Sequence, residues 1–215
     1  MAGRELIDGP AGRIEVEGAV PADARGVAVI AHPHPLFGGT MDNKVVTTLA
    51  RAYGEAGIAA FRFNFRGVGA TEGTHDEGRG EAEDLLRVIS HARARCPGIP
   101  LHLAGFSFGG AVAVRASDRA EFARLVLAAP GFRRIAEGGM GAAPGPGDPN
   151  LGAPGRHTLA NTVIVHGDLD ETVPLADSIA WATPREVPVV VVPGGEHFFH
   201  RKLHLLREIV GRFIR

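Results

Sequence analysis

From residue 26 to the C-terminus, short runs rich in β-branched and small apolar residues alternate with amphipathic stretches, and this alternation limits the possible folds more tightly than any other feature. The runs "GVAVIAH", "IAAFRFNF", "LHLAGFS", "RLVLAAP", "NTVIVHG" and "VPVVVVPGG" read as strands. Between them, "NKVVTTLARAYGEAG", "GEAEDLLRVISHARARC" and "GGAVAVRASD" read as helices, with a short helix expected from Pro174 and a C-terminal one from about His200. An earlier strand is expected over "GRIEVEGAV". Strands separated by helices cannot pair as tight hairpins, so the crossovers build a mostly parallel sheet with helices on both faces. The expected fold class is α/β and doubly wound.

The 215 residues suit a single domain spanning 1–215. One stretch breaks the rhythm: "GFRRIAEGGMGAAPGPGDPNLGAPGRH", at about 131–157, is dominated by Gly, Pro and Ala and is expected to be a flexible loop near the binding site. A formal net charge of -1 with no long one-signed block argues against nucleic acid or an anionic membrane as partner and favours a small, fairly neutral substrate. The opening "MAGRELIDGP" has no apolar core of a signal peptide, "VVVV" is too short to span a bilayer, and Cys96 has no second cysteine to pair with. A cytoplasmic location is the expectation.

The segment "AGFSFGG" at 104–110 carries a Gly-x-Ser-x-Gly motif. With thirty glycines and four serines in the chain, chance alone would produce such a motif with a probability of roughly 0.08, so the motif needs support from its setting. That setting is favourable: "LHLAG" runs as a strand into Ser107 and "FGGAVAVRA" continues as a helix. A serine on such an elbow stands above the carboxyl end of the sheet, and the amide of Phe108 lies at a helix N-terminus, where an oxyanion is favoured. A serine hydroxyl needs a base to take its proton, and a histidine base needs a carboxylate to orient it. The strand "TVIV" ends in "HGDLDETVP", offering Asp168 and Asp170, and "VVVV" ends in "PGGEHFFH", offering His197 and His200. The order Ser, Asp, His is the one this kind of site uses.

Through "HPHPLFGGTMDNKVV", "FRFNFRGVGATEG", "GFSFGG", "HGDLDETVP" and "GGEHFF" the chain resembles the α/β-hydrolases, in particular the small, nearly capless bacterial hydrolases related to the dienelactone-hydrolase group. The resemblance implies an α/β-hydrolase fold with a minimal cap, Asp170 as the acid and His197 as the base. Dienelactone hydrolases use a cysteine nucleophile where this chain has Ser107, which points away from dienelactone as substrate. The second oxyanion donor is expected in the loop after "VAVIA", where Pro33 and Pro35 have no N–H to give; the resemblance favours the amide of His34, with Leu36 as the alternative. It also implies a bracing role for Arg66, and His32 is expected to hold the oxyanion loop by hydrogen bonds.

No cofactor is expected, and although His32/His34 and His200/His204 have spacings that invite a metal, no acidic ligand accompanies them, so none is expected. Phe37, Phe106 and Phe198 are the candidate walls of an apolar acyl pocket. The expected function is a serine-dependent, carboxylesterase-like hydrolase cleaving an ester, or a thioester or amide, of a small or medium acyl group. A ligand-binding member of the fold without catalysis, or an acyltransferase using the same three residues, are the alternatives. Oligomeric state is left open.

Overall fold

The computed structural model describes residues 3–134 and 155–215. Eight strands form one sheet: β1 (Gly3–Gly9), β2 (Gly12–Ala19), β3 (Val27–Ala31), β4 (Ala59–Phe63), β5 (Leu101–Phe106), β6 (Arg124–Ala128), β7 (Thr162–Gly167) and β8 (Val189–Val192). Their order across the sheet is β1-β2-β4-β3-β5-β6-β7-β8. The pairs β1/β2 and β2/β4 are antiparallel and every pair from β4/β3 to β7/β8 is parallel. The mostly parallel α/β sheet expected from the alternation is therefore present. β1 was not foreseen; it is a largely exposed edge strand whose polar residues carry little apolar alternation, and its pairing with β2 defines it.

Period-two burial explains the layers. Val27, Val29 and Ala31 of β3 face one core with Leu101 and Leu103 of β5, whereas Ala28 and Ile30 face the other with Ala104 and Phe106. The first core is covered by α2 (Arg79–Arg95), α3 (Phe108–Ser117) and α4 (Leu175–Ala182), through residues such as Leu85, Val88, Val112 and Trp181. The second is covered by α1 (Lys44–Glu55) and α5 (Leu203–Phe213). In α1 the buried residues Val45, Val46, Leu49, Ala52 and Tyr53 fall on one helical stripe, and Asn43 caps the helix by accepting the Val45 amide at 2.9 Å.

After β3 the chain winds to β4 on one side, then returns to β5 on the other side of β3 and continues outward to β8. The carboxyl ends of β3 and β5 thus flank a switch point, the place where open α/β sheets form a crevice. Of the 131–157 segment expected as a flexible loop, residues 135–154 lie outside the described residues. Its two ends are pinned rather than loose: the Gly131 amide donates to the Ser107 carbonyl at 2.8 Å, Phe132 stacks on Trp181 with ring centroids 4.8 Å apart, and His157 is fully buried.

Candidate active site

Ser107 follows the last residue of β5 and precedes the first residue of α3. Its backbone is held at φ 54° and ψ −120°, a region rarely adopted by a residue with a side chain. The surroundings enforce it: the Ser107 amide donates to Ala128 of β6 at 3.0 Å, and the Ser107 carbonyl accepts the amides of Gly110 and Gly131. Both glycines of the motif are required by space. A Cβ on Gly105 would collide with the backbone of Gly109, and one on Gly109 would collide with the carbonyls of Ala31 and His32. Helix α3 can therefore lie directly against β3 and β5, with the Phe108 amide in its first turn.

The ends of β7 and β8 bring the other two residues to Ser107. His197 Nε2 lies 3.1 Å from Ser107 Oγ and its Nδ1 lies 2.7 Å from Asp170 Oδ2. All three side chains are buried. Burial alone would push the Asp170 carboxyl up, but hydrogen bonds from His166, His197 and the Val173 amide, with the charge of His197, overcome it and hold the group well below the usual carboxylate range. An ionised carboxylate only accepts, so it fixes the proton of a neutral His197 on Nδ1 and leaves the Nε2 lone pair facing the serine hydroxyl. Asp168 stands apart from this chain: its Oδ1 accepts the Gly194 amide at 2.6 Å and ties the loops after β7 and β8 together. His200 pairs instead with Glu196 at 3.1 Å on the exposed surface.

The loop after β3 forms a short 3-10 turn at Pro35–Phe37, capped by His34, whose Nδ1 accepts the Leu36 amide at 3.3 Å. The Leu36 N–H is engaged within the loop; His34 lines the same cavity as Ser107 and packs against Phe108, the two rings tilted at 50° with centroids 4.7 Å apart. His32 anchors this loop from below. Its Nδ1 bonds the Pro33 carbonyl at 2.6 Å and its Nε2 accepts the Phe65 amide at 2.9 Å, so the proton sits on Nδ1. Burial, which opposes the charged form, lowers His32 to about 4, aided by the charge of His34, against the weaker pull of the Pro33 carbonyl. Arg66 braces the loop after β4 through a two-pronged bond to Asp84 of α2, at 2.8 and 2.7 Å, so its fork is already filled.

A cavity of about 300 Å³ opens over Ser107, lined by Pro33, His34, Phe37, Asn43, Thr172 and Phe198 among others. Phe37 and Phe198 are its exposed apolar rim. Phe106, expected as a third wall, is instead fully buried: alternation along β5 points it into the core on the α1 and α5 side, where its ring packs 4.9 Å from that of His197 and supports it from beneath. His166 was missed. Its position four residues before Asp170 on a strand end was the available signal, and its ring Nε2 lies 3.3 Å from Asp170 Oδ2. Among the described residues no group of three or more His, Cys, Asp or Glu side chains could hold a metal ion, and no helix is long and apolar enough to cross a membrane.

The sequence pattern of the family described as serine aminopeptidase S33 matches residues 23–144, more than half of the chain. An α/β serine hydrolase homologue from Coxiella burnetii is 37% identical, with a TM-score of 0.81 over 99% of this chain and 97% of that one. A lidless α/β serine hydrolase from Xanthomonas campestris is 35% identical, with a TM-score of 0.85 over 100% of this chain and 94% of that one. An uncharacterized protein of Rickettsia prowazekii is 37% identical over 110 residues, 50% of this chain and 46% of that protein, so the match spans about half the length of this curated relative. The chain belongs to the α/β serine hydrolases, in the family described as serine aminopeptidase S33.

Proposed function

We propose that the chain is a cofactor-independent, carboxylesterase-like serine hydrolase that cleaves an ester, or a thioester or amide, of a small or medium acyl group through an acyl-enzyme. The observation that carries this reading is the continuous hydrogen-bonded chain from Ser107 Oγ to His197, at 3.1 Å, and from His197 to Asp170, at 2.7 Å, at the floor of a cavity.

In this mechanism Ser107 Oγ attacks the substrate carbonyl while its proton passes to His197 Nε2. The imidazolium so formed is stabilised by the Asp170 carboxylate, whose acceptor sites are directed by the amides of Thr172 and Val173 at 2.9 and 2.8 Å. The tetrahedral oxyanion is received by the amides of Phe108 and His34, the first of which adds the positive end of α3. His197 then protonates the leaving alcohol, and a water activated by the same ring releases the acid and restores Ser107. The apolar rim of Phe37 and Phe198 and the modest cavity favour a neutral small-molecule substrate without a large acyl chain. The single cysteine, buried Cys96, accords with a cytoplasmic setting. The test is hydrolysis of a series of p-nitrophenyl esters of increasing acyl length: turnover is expected for short and medium chains and is lost in Ser107→Ala, whereas turnover surviving that change would overturn the reading.

A further inference from the structure

Beside Asp170, close to the same carboxylate oxygen that meets His197, lies a second imidazole to which the mechanism assigns no task. His166 is the penultimate residue of β7 and is fully buried. Its Nδ1 lies 2.8 Å from Ser178 Oγ of α4, and its Nε2 lies 3.0 Å from the Val173 carbonyl and 3.3 Å from Asp170 Oδ2. A carbonyl oxygen can only accept, so Nε2 must carry a proton. In the neutral ring Nδ1 then accepts the Ser178 hydroxyl, which locks the tautomer.

The Nε2–H donates to the Val173 carbonyl, and Asp170 Oδ2 lies beside it, 3.3 Å from Nε2. Oδ1 already takes the amides of Thr172 and Val173, and Oδ2 takes the Nδ1–H of His197. The carboxylate thus has three hydrogen-bond donors, and the His166 N–H stands beside Oδ2 as a fourth polar neighbour, so that both oxygens are constrained. We propose that His166 is a positioning residue: its Nε2–H holds the Asp170 carboxylate in the orientation that presents Oδ2 to His197 and opposes proton uptake by the Asp170–His197 pair. The proposal rests on the reading of Ser107, His197 and Asp170 as the reacting group.

The electropositive N–H beside the pair disfavours an added proton on either member. Its removal raises the proton affinity of the pair, so the acid limb of the kcat/KM profile moves to higher pH. The other titratable groups around the pair are His34 across the cavity, Asp168, Glu171, Glu196 and His200 around its outer side, and Asp177 of α4, which is paired with Arg133.

The experiment compares the pH dependence of kcat/KM on a p-nitrophenyl ester for wild type, His166→Phe, which keeps a ring without a donor, and His166→Gln, which keeps an N–H near the place of Nε2. His166→Phe is expected to lose about tenfold in kcat with little change in KM, the size of a lost hydrogen bond to a charged group, and to shift the acid limb upward. His166→Gln is expected to return the limb to its wild-type position. A limb that stays in place in His166→Phe, or shifts equally in both variants, would overturn the proposal and leave His166 a packing residue. Should His166→Phe fail to fold, long-range 1H–15N correlation on wild-type protein labelled in histidine provides the second test: a ring protonated at Nε2 is expected, and one protonated at Nδ1 alone would overturn the assignment. Labelling of wild-type Ser107 by a fluorophosphonate separates the two failures, since a labelled enzyme with an unmoved limb defeats only the role of His166, and an unlabelled one defeats the underlying reading as well.

Discussion

Ser107 illustrates how a single residue can be placed by its neighbours' lack of side chains. Its positive φ costs on the order of 1–3 kcal/mol, and the packing that sustains it depends on Gly105 and Gly109. Gly109→Ala is accordingly expected to destabilise the fold by about 1–3 kcal/mol, read as a lower denaturant midpoint, because the added methyl meets backbone carbonyls that cannot rotate away. Asp170→Asn is expected to leave the fold intact and lower kcat by about 10⁴, since an amide that donates toward Nδ1 favours the wrong tautomer of His197; steady-state kinetics check this, and a loss under tenfold would contradict it. Ser107 was legible in the sequence because strand, small residues and helix surround it in one continuous stretch. Phe106 was misplaced because which face of β5 it takes depends on the register of the strand, and nearness to Ser107 in sequence does not report it. His166 escaped because its significance arises only when the turn after β7 folds back and brings Val173, Ser178 and Asp170 around one ring.

At the scale of elements, the site depends on loops fixed by buried polar side chains rather than on the strands alone. The Arg66–Asp84 pair ties the loop after β4 to α2, with Asp84 almost wholly buried. Removing one partner leaves the other charged and without its counterion, so Asp84→Ala is expected to lower stability by about 3–5 kcal/mol, measured by urea unfolding. A change below 1 kcal/mol would mean that water replaces the carboxylate at no penalty. The helices and the central strands were readable because their apolar spacing is set by packing on one or two faces. The edge strand β1 was not, since it buries little and takes its form from the hydrogen-bond ladder of β2. The start of α5 was expected three residues early; the turns at Phe199 and Arg201, with φ of 52° and 59°, delay it to Leu203.

At the scale of the molecule, strand order converts distant residues into neighbours. Ser107, Asp170 and His197 follow β5, β7 and β8, whose parallel register sets all three at one edge of the sheet, while β3 delivers His34 across the switch point. The same compact packing is expected to make the fold acid-sensitive. Burial lowers His32, His102 and His157 each to about 4, so the unfolded chain takes up protons that the folded one refuses. Their contribution to stability is complete above about 6.5 and is lost as pH falls toward 4, with a limiting slope of about 4 kcal/mol per pH unit if all three act together. Urea midpoints are expected to fall between pH 7 and pH 5; equal midpoints would show that the three rings accept protons within the fold. The central claim, that Ser107 is activated by His197, is tested most directly by intact-mass analysis after treatment with a fluorophosphonate. The account predicts a single adduct on the wild type, none on Ser107→Ala and much slower labelling of His197→Ala. A folded wild-type protein that takes no adduct, or one labelled as fast without His197 as with it, would contradict the account.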